Sequence, residues 1–211
     1  MAYGSSLWVG GIGAYSGGSI QQIQGAQAVI TMPSSFPSVL SGQITTGYVA
    51  VTNAPAIVQA GFAFEPSVSS VNPHHYLGYR ASNTSYQEIR LLSGPAKSAS
   101  TTYTVKKESG YWKGYYNGSL IGSTNTNVSP IKVEYLNETY DDAEKWMGTS
   151  SSNPLKFSQV QYWDGSASSS DTSKWVWRKP SLQFMNDGAS GINYNNYSSS
   201  GYWTSYDLGG I

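Results

Sequence analysis

The chain has 211 residues with 12 basic and 12 acidic side chains, and charged residues make up only 11% of it. Because the two signs balance, the composition shows no electrostatic footprint of binding to nucleic acid or to an anionic membrane. The sequence contains no apolar stretch of about 18 residues, so no membrane span is predicted. The absence of cysteine excludes disulfides, a thiol nucleophile and cysteine-ligated metal. The length predicts a single domain over residues 1–211.

Short runs of β-favouring residues alternate with turns rich in Gly, Pro, Ser and Asn along most of the chain. Residues 1–19, around Trp8, predict an irregular entry with a short strand. The further predicted strands are 20–32, 43–52, 56–64, 75–80, 87–92, 101–107, 111–116, 119–122, 132–139, 155–163, 175–178, 182–185 and 203–208. Asn117-Gly118 is the strongest hairpin signal. A helical turn is predicted at 141–148, with loops at 149–153 and 166–173. This order predicts an all-β fold, an antiparallel β-sandwich.

One predicted strand, residues 56–64, carries a polar side chain in the middle of an apolar run. Ile57, Val58 and Phe62 mark the strand as buried, and Gln59 lies among them. A buried amide costs free energy unless its donors and acceptor are paired or it lines a wet cleft. Gln59 is therefore either a core residue satisfied by neighbouring backbone or part of a site.

A second strand, residues 132–139, supplies a carboxylate. Alternation places Glu134, Leu136 and Glu138 on one face, and Val133, Tyr135, Asn137 and Thr139 on the other. Glu138 then lies near the end of a half-buried strand. A carboxylate on one strand and an amide on another can share one water, which is a minimal hydrolytic site.

These two segments resemble motifs of the fungal glutamic peptidases, the eqolisins, and more distantly the neprosin-type glutamic peptidases. Ala-Ile-Val-Gln-Ala-Gly-Phe (56–62) resembles the eqolisin Gln motif, and Val-Glu-Tyr-Leu-Asn-Glu-Thr-Tyr (133–140) resembles the Glu motif. Further segments resemble the family in the same order along the chain: Trp8-Val9-Gly10-Gly11, 26–33, His75-Tyr76-Leu77-Gly78-Tyr79 and 154–160. Together they cover roughly residues 8–165.

The resemblance implies a fold of two curved antiparallel sheets of the lectin and glucanase (jelly-roll) type. It implies a catalytic Gln59–Glu138 dyad, with Trp8, Tyr48 and Tyr79 as possible walls of the substrate cleft. Glu138 would take a proton from water and pass it to the leaving nitrogen, while Gln59 would fix the water and donate to the oxyanion. The expected substrate is a polypeptide, with no metal or other cofactor, and the expected enzyme is a secreted, acid-acting monomer.

The chain departs from the family at several positions. Leu77, Arg80 and Ala81 stand where the family often carries acidic side chains, Tyr48 replaces a cleft Trp, and Thr139 replaces an Asp. The low charge indicates a surface solvated by hydroxyls and amides, which we interpret as typical of an acidic or extracellular setting.

Other functions need different arrangements. The neighbours His74 and His75 face opposite ways in a strand, which disfavours a shared metal, and a Ser-His-Asp site would need a buried histidine with a carboxylate partner. The main alternative is a non-catalytic extracellular β-sandwich that forms a surface structure or binds glycans through aromatic side chains, here Trp112, Tyr115, Tyr116, Trp175 and Trp177. A peptidase needs Gln59 and Glu138 to face one open concave cleft within reach of one water, whereas a structural or lectin-like protein would bury Gln59 or leave Glu138 on a convex face. Placement of the two side chains on opposite sheets would end the peptidase hypothesis.

Overall fold

The computed structural model describes residues 6–14, 23–39, 42–66, 72–140, 146–164, 176–178, 183–186, 192–195 and 202–207. Within these ranges the regular elements are strands: β1 (Ser6–Ala14), β2 (Ile23–Thr31), β3 (Ile44–Asn53), β4 (Ala56–Phe64), β5 (His74–Arg80), β6 (Gln87–Leu91), β7 (Ser100–Glu108), β8 (Tyr111–Tyr116), β9 (Ser119–Thr124), β10 (Lys132–Tyr140), β11 (Gly148–Ser150), β12 (Asn153–Asp164), β13 (Val176–Arg178), β14 (Gln183–Asn186), β15 (Ile192–Asn195) and β16 (Tyr202–Asp207). These ranges contain no helix able to cross a membrane.

The described strands form two antiparallel sheets. The first sheet has the order β14-β1-β10-β3-β4-β5-β6, and the second has the order β15-β16-β12-β2-β7-β8-β9, with β11 and β13 also pairing with β12. Strands β3, β4 and β5 follow one another directly, whereas β10 enters between β1 and β3. This crossover brings the Glu138 strand next to the hairpin that carries Gln59.

The main core lies between the two sheets. Alternate residues of β4 point into it, and the fully buried Phe62 lies with its ring centroid 6.5 Å from that of Tyr103 on the second sheet. Phe157 and Trp203 stack at 4.2 Å in the same core. The predicted all-β, two-sheet sandwich is confirmed.

Several predicted elements agree with the structure and a few do not. The Gln59 strand begins and ends where it was predicted, and the Asn117-Gly118 turn joins β8 to β9 with both residues at positive φ. Residues 148–150 form β11, although the sequence predicted the end of a helical turn and a loop there. Residues 141–145 and the predicted loop at 166–173 lie outside the described residues.

The first sheet carries a second, smaller apolar cluster on the face turned away from the second sheet. We call this the site face. Its cluster consists of Ile44, Tyr48, Ala50, Ala63, Tyr76 and Leu136. The site face positions the polar groups described below.

Candidate functional site

Gln59 lies on the site face of β4. Its neighbours Val58 and Ala60 point into the core between the sheets, so alternation turns the amide the other way. In the strand register it lies between Ala50 of β3 and Gly78 of β5, both small. The residue is 4% exposed, which is the burial that we expected of a structural or lectin-like protein, and its amide therefore needs internal partners.

Glu138 lies on the site face of β10. Val133 and Tyr135 belong to the core and Leu136 to the site-face cluster, as the alternation predicted. In the register Glu138 pairs with Thr46 of β3, and Thr46 pairs with Ala63 of β4. Gln59 lies four residues before Ala63 on β4. The carboxylate is 5% exposed. The two predicted catalytic groups therefore share one face of one sheet.

The Tyr76 hydroxyl connects Gln59 to the strand neighbour of Glu138. Gln59 Nε2 donates to Tyr76 Oη at 2.8 Å, and Tyr76 Oη is 3.0 Å from Oγ1 of Thr46, the cross-strand neighbour of Glu138. Burial raises the pKa of Tyr76 well above its usual value, and the negative charges of Glu88 and Glu138 add to the rise. Glu138 is thus close enough for its charge to act on the hydroxyl that Gln59 contacts.

Tyr86 covers Gln59 from the connection between β5 and β6. Its hydroxyl accepts a second hydrogen bond from Gln59 Nε2, at 3.1 Å. The tyrosine reaches this point because Gly78 has no side chain, and a Cβ there would overlap the Tyr86 hydroxyl. Both N–H groups of the Gln59 amide are therefore engaged by tyrosine hydroxyls.

The structure brings some of the predicted cleft residues to this site. Tyr48 belongs to the site-face cluster, in the row between Gln59 and Glu138, and is 3% exposed. The backbone of Trp8 is the register partner of Glu138. Tyr79 is not brought to the site: it lies on the opposite face of β5, against the main core, because its register partner Val58 points there.

A charged cluster lies on the same face at the β6 edge. Arg90 contacts Glu88 (Nε to Oε1, 2.8 Å) and Glu65 (Nη1 to Oε2, 2.9 Å), and Glu88 Oε1 is 3.4 Å from Nε2 of the buried His74. His74 therefore has the carboxylate neighbour that a triad histidine needs. Its Nδ1 has no hydrogen-bond partner among the described residues, so no described serine completes a triad.

The two histidines face opposite ways, as predicted. His75 points into the main core, where Nδ1 is 2.7 Å from Tyr103 Oη and the ring stacks on Tyr116 at 4.0 Å. In the described part of the chain, no group of three or more His, Cys, Asp or Glu side chains is placed to hold a metal ion.

A third carboxylate, Glu134, lies on the site face of β10. It is in register with Ala50 and, across it, with Gln59, and burial raises its pKa. Four residues of extended strand separate it from Glu138, about 13 Å at ~3.3 Å per residue.

No protein-family model and no curated protein sequence matches the chain, but solved structures do. Scytalido-glutamic peptidase with a peptide-based transition-state analogue has a TM-score of 0.58 at 13% identity, covering 96% of this chain and 98% of that one. SCP-B, a member of the eqolisin family, in complex with the tripeptide Ala-Ile-His, has a TM-score of 0.57 at 14% identity with the same coverage. The chain has the fold of these peptidases. Nothing in these comparisons supports the relation to the neprosin-type peptidases.

The aromatic set considered for glycan binding is dispersed. Trp112 is 1% exposed in the main core, and Tyr116 packs against that core and stacks on His75. Tyr115 donates to Glu108 Oε2 at 2.6 Å, and Trp177 makes an edge contact with Trp163. Trp175 lies outside the described residues. The described members do not form one sugar-stacking surface.

Several residues of the site were missed by sequence reasoning. Tyr76 and Tyr86 contact the Gln59 amide, and Thr46 contacts the Tyr76 hydroxyl. Tyr76 lies in a segment that resembles the family, but its face relative to Gln59 depends on the pairing register of β4 and β5. Tyr86 lies in a connection, and only the gap above Gly78 explains its approach.

Proposed function

We propose that the chain is a peptidase that hydrolyses peptide bonds with water activated by Glu138 and positioned by Gln59. The observation that carries the proposal is the Tyr76 hydroxyl, which is bonded to Gln59 and to the cross-strand neighbour of Glu138. The order of the Gln and Glu motifs and the fold shared with glutamic peptidases support it.

The reaction needs one base and one polar amide. Ionised Glu138 takes a proton from water as the water oxygen bonds to the scissile carbonyl carbon. The tetrahedral intermediate then breaks its C–N bond, and the Glu138 carboxyl returns the proton to the leaving nitrogen, giving a carboxylic acid and an amine. A positioned general base is worth about 10² to 10⁴ in rate.

Gln59 stabilises the oxyanion only if one of its N–H groups turns to the substrate. The bond to Tyr76 is buried, whereas Tyr86 is half-buried in a stretch whose residues 82–85 are exposed. We therefore assign the Tyr86 bond as the one exchanged for the substrate oxygen. An oxyanion donor contributes roughly 10² to 10³ to the rate.

The test is digestion of a denatured protein from pH 2 to 7 by the wild type, Glu138→Gln and Gln59→Ala. Cleavage at acid pH that persists with pepstatin and is lost in both variants supports the proposal, including the acid-acting enzyme implied by the family resemblance. Glu134→Gln is the matched control, since it removes a carboxylate from the same face of the same strand. Cleavage that persists in Glu138→Gln contradicts the proposal. A folded wild type that never cleaves favours the non-catalytic β-sandwich.

A further inference from the structure

The hydrogen bonds behind Gln59 run in one direction. Thr46 Oγ1 donates to the main-chain carbonyl oxygen of Phe62 at 2.6 Å. A carbonyl oxygen only accepts, so the single hydroxyl hydrogen of Thr46 is committed there. Tyr76 then has to donate its own hydrogen to Thr46 Oγ1, and Tyr76 Oη accepts from Gln59 Nε2. We call the series Phe62 O, Thr46, Tyr76 and Gln59 the relay.

The relay is held in place by its surroundings. Thr46 is 3% exposed and Tyr76 is 2% exposed, so water does not compete for their hydroxyls. Glu88 and Glu138 are the charged groups that act on the Tyr76 hydroxyl, and together with burial they keep it protonated by raising its pKa. The direction of the relay is therefore the same at acid and at neutral pH.

A fixed direction has a consequence for the Gln59 amide. With the oxygen of Tyr76 accepting, the amide nitrogen has to face Tyr76, and the amide oxygen faces away. If the amide turned over, its oxygen would meet an oxygen whose hydrogen is already used. The orientation of the Gln59 amide is thus set by the main-chain carbonyl of Phe62 on the same strand, acting through the hydroxyls of Thr46 and Tyr76.

We propose that Tyr76, supported by Thr46, is a positioning residue that sets the orientation of the Gln59 amide for catalysis. It does not contact the substrate in this scheme. It keeps one N–H of Gln59 on β5 and so directs the other N–H, now on Tyr86, to the place of the substrate oxygen. This inference rests on the proposed peptidase function.

Three variants test the relay by kinetics. Tyr76→Phe keeps the ring and removes the hydroxyl, Thr46→Val keeps the side-chain shape and removes the hydroxyl, and Thr46→Ser keeps the hydroxyl. With a peptide substrate cleaved by the wild type, Tyr76→Phe and Thr46→Val should lower kcat by about 10-fold to 100-fold, part of the effect of an oxyanion donor. The KM of both variants should stay within about twofold of the wild-type value, because neither change removes a contact that the bound substrate makes before the transition state. Thr46→Ser should keep kcat near that of the wild type.

A second readout does not depend on activity. In ¹⁵N–¹H NMR, the side-chain signals of Gln59, assigned by their loss in Gln59→Glu, should shift in Tyr76→Phe and in Thr46→Val. Their exchange with water should also become faster, because the amide is no longer fixed. In Thr46→Ser the signals should stay near their wild-type positions.

The outcomes separate this inference from the function on which it rests. If the wild type and Glu138→Gln show that the peptidase proposal fails, the NMR signals still decide whether the relay orients Gln59, and unchanged signals in Tyr76→Phe overturn it. If the wild type cleaves and Glu138→Gln does not, a wild-type kcat in Tyr76→Phe and Thr46→Val overturns the relay alone. An equal loss of kcat in Thr46→Ser would show a packing effect and would also overturn it.

Discussion

Acid should destabilise this protein through one buried histidine in the main core. His75 is 4% exposed, and burial, aided by the charge of His74, lowers its pKa from 6.5 to about 4. Its ring is fixed by Tyr116 and by the Tyr103 hydroxyl. The perturbation is a fall in pH from 7 to 5.

The sign follows from which state binds the proton. Below pH 6.5 the unfolded chain protonates His75, while the folded chain does so only near pH 4. The contribution of His75 to stability is therefore complete above pH 6.5 and is lost as pH falls toward 4. At about 1.36 kcal/mol per pKa unit, the loss is about 2 kcal/mol by pH 5 and about 3 kcal/mol by pH 4.

The assay is urea unfolding followed by tryptophan fluorescence at pH 7, 6 and 5. Stopping at pH 5 limits the contribution of Glu108, whose pKa is lowered by its Tyr115 hydrogen bond and whose effect appears at lower pH. The double variant His75→Phe/Tyr103→Phe removes the polar pair with little change in shape and should remove the slope. The control His74→Gln keeps His75 and should keep most of the slope.

Two results would refute this reasoning. The first is a wild type that loses no more free energy of unfolding between pH 7 and 5 than the double variant does, since Glu134, whose pKa burial raises, acts in the opposite direction and is common to both proteins. The second is a slope that persists in the double variant. If the slope is confirmed, an acid-acting form of this protein works with a reduced margin of stability, and its range of activity should end where the fold does.

Three further predictions concern glycines and the tyrosine over the site. Tyr86→Phe removes the hydroxyl that competes with the substrate for the Gln59 N–H, so kcat/KM for a peptide should rise about fivefold, which corresponds to a hydrogen bond of about 1 kcal/mol. An unchanged or lower kcat/KM would contradict the exchange of the Tyr86 hydrogen bond for one to the substrate. Gly78→Ala should displace Tyr86 and shift the Gln59 NMR signals as Tyr86→Phe does, and signals like those of the wild type would contradict the overlap. Gly114→Ala places a Cβ 2.8 Å from Leu77 Cδ1 between the sheets and should cost about 1 to 3 kcal/mol in urea unfolding; no measurable loss would show that Leu77 moves freely.

Much of the fold could be read from alternation and turn chemistry. The faces of β10 follow from the order of apolar and polar residues, and they place Glu138 opposite Tyr135 and Asn137 as predicted. Asn117-Gly118 adopts the positive φ values that its hairpin requires. These features depend on neighbours in sequence, and local patterns are sufficient for them.

The rest depends on pairing between distant residues. Strand β11 is only three residues long and exists because it pairs with β12, so no local pattern predicts it. No strand was predicted for β15, whose residues Ile192–Asn195 are rich in asparagine. Tyr79 resembled a cleft residue by motif, but the register of β4 and β5 turns it to the core. Tyr86 reaches Gln59 from a connection, which no strand pattern describes.

The most direct test of the account is the rate at which Glu138→Gln cleaves a denatured protein, compared with Glu134→Gln and the wild type at the wild-type optimum. The account predicts that Glu138→Gln loses about 10² to 10⁴ in rate, the worth of a general base, while Glu134→Gln stays within about threefold of the wild type. Loss of activity in Glu134→Gln with retention in Glu138→Gln would contradict the assignment of the base. Equal activity in all three would contradict the site itself.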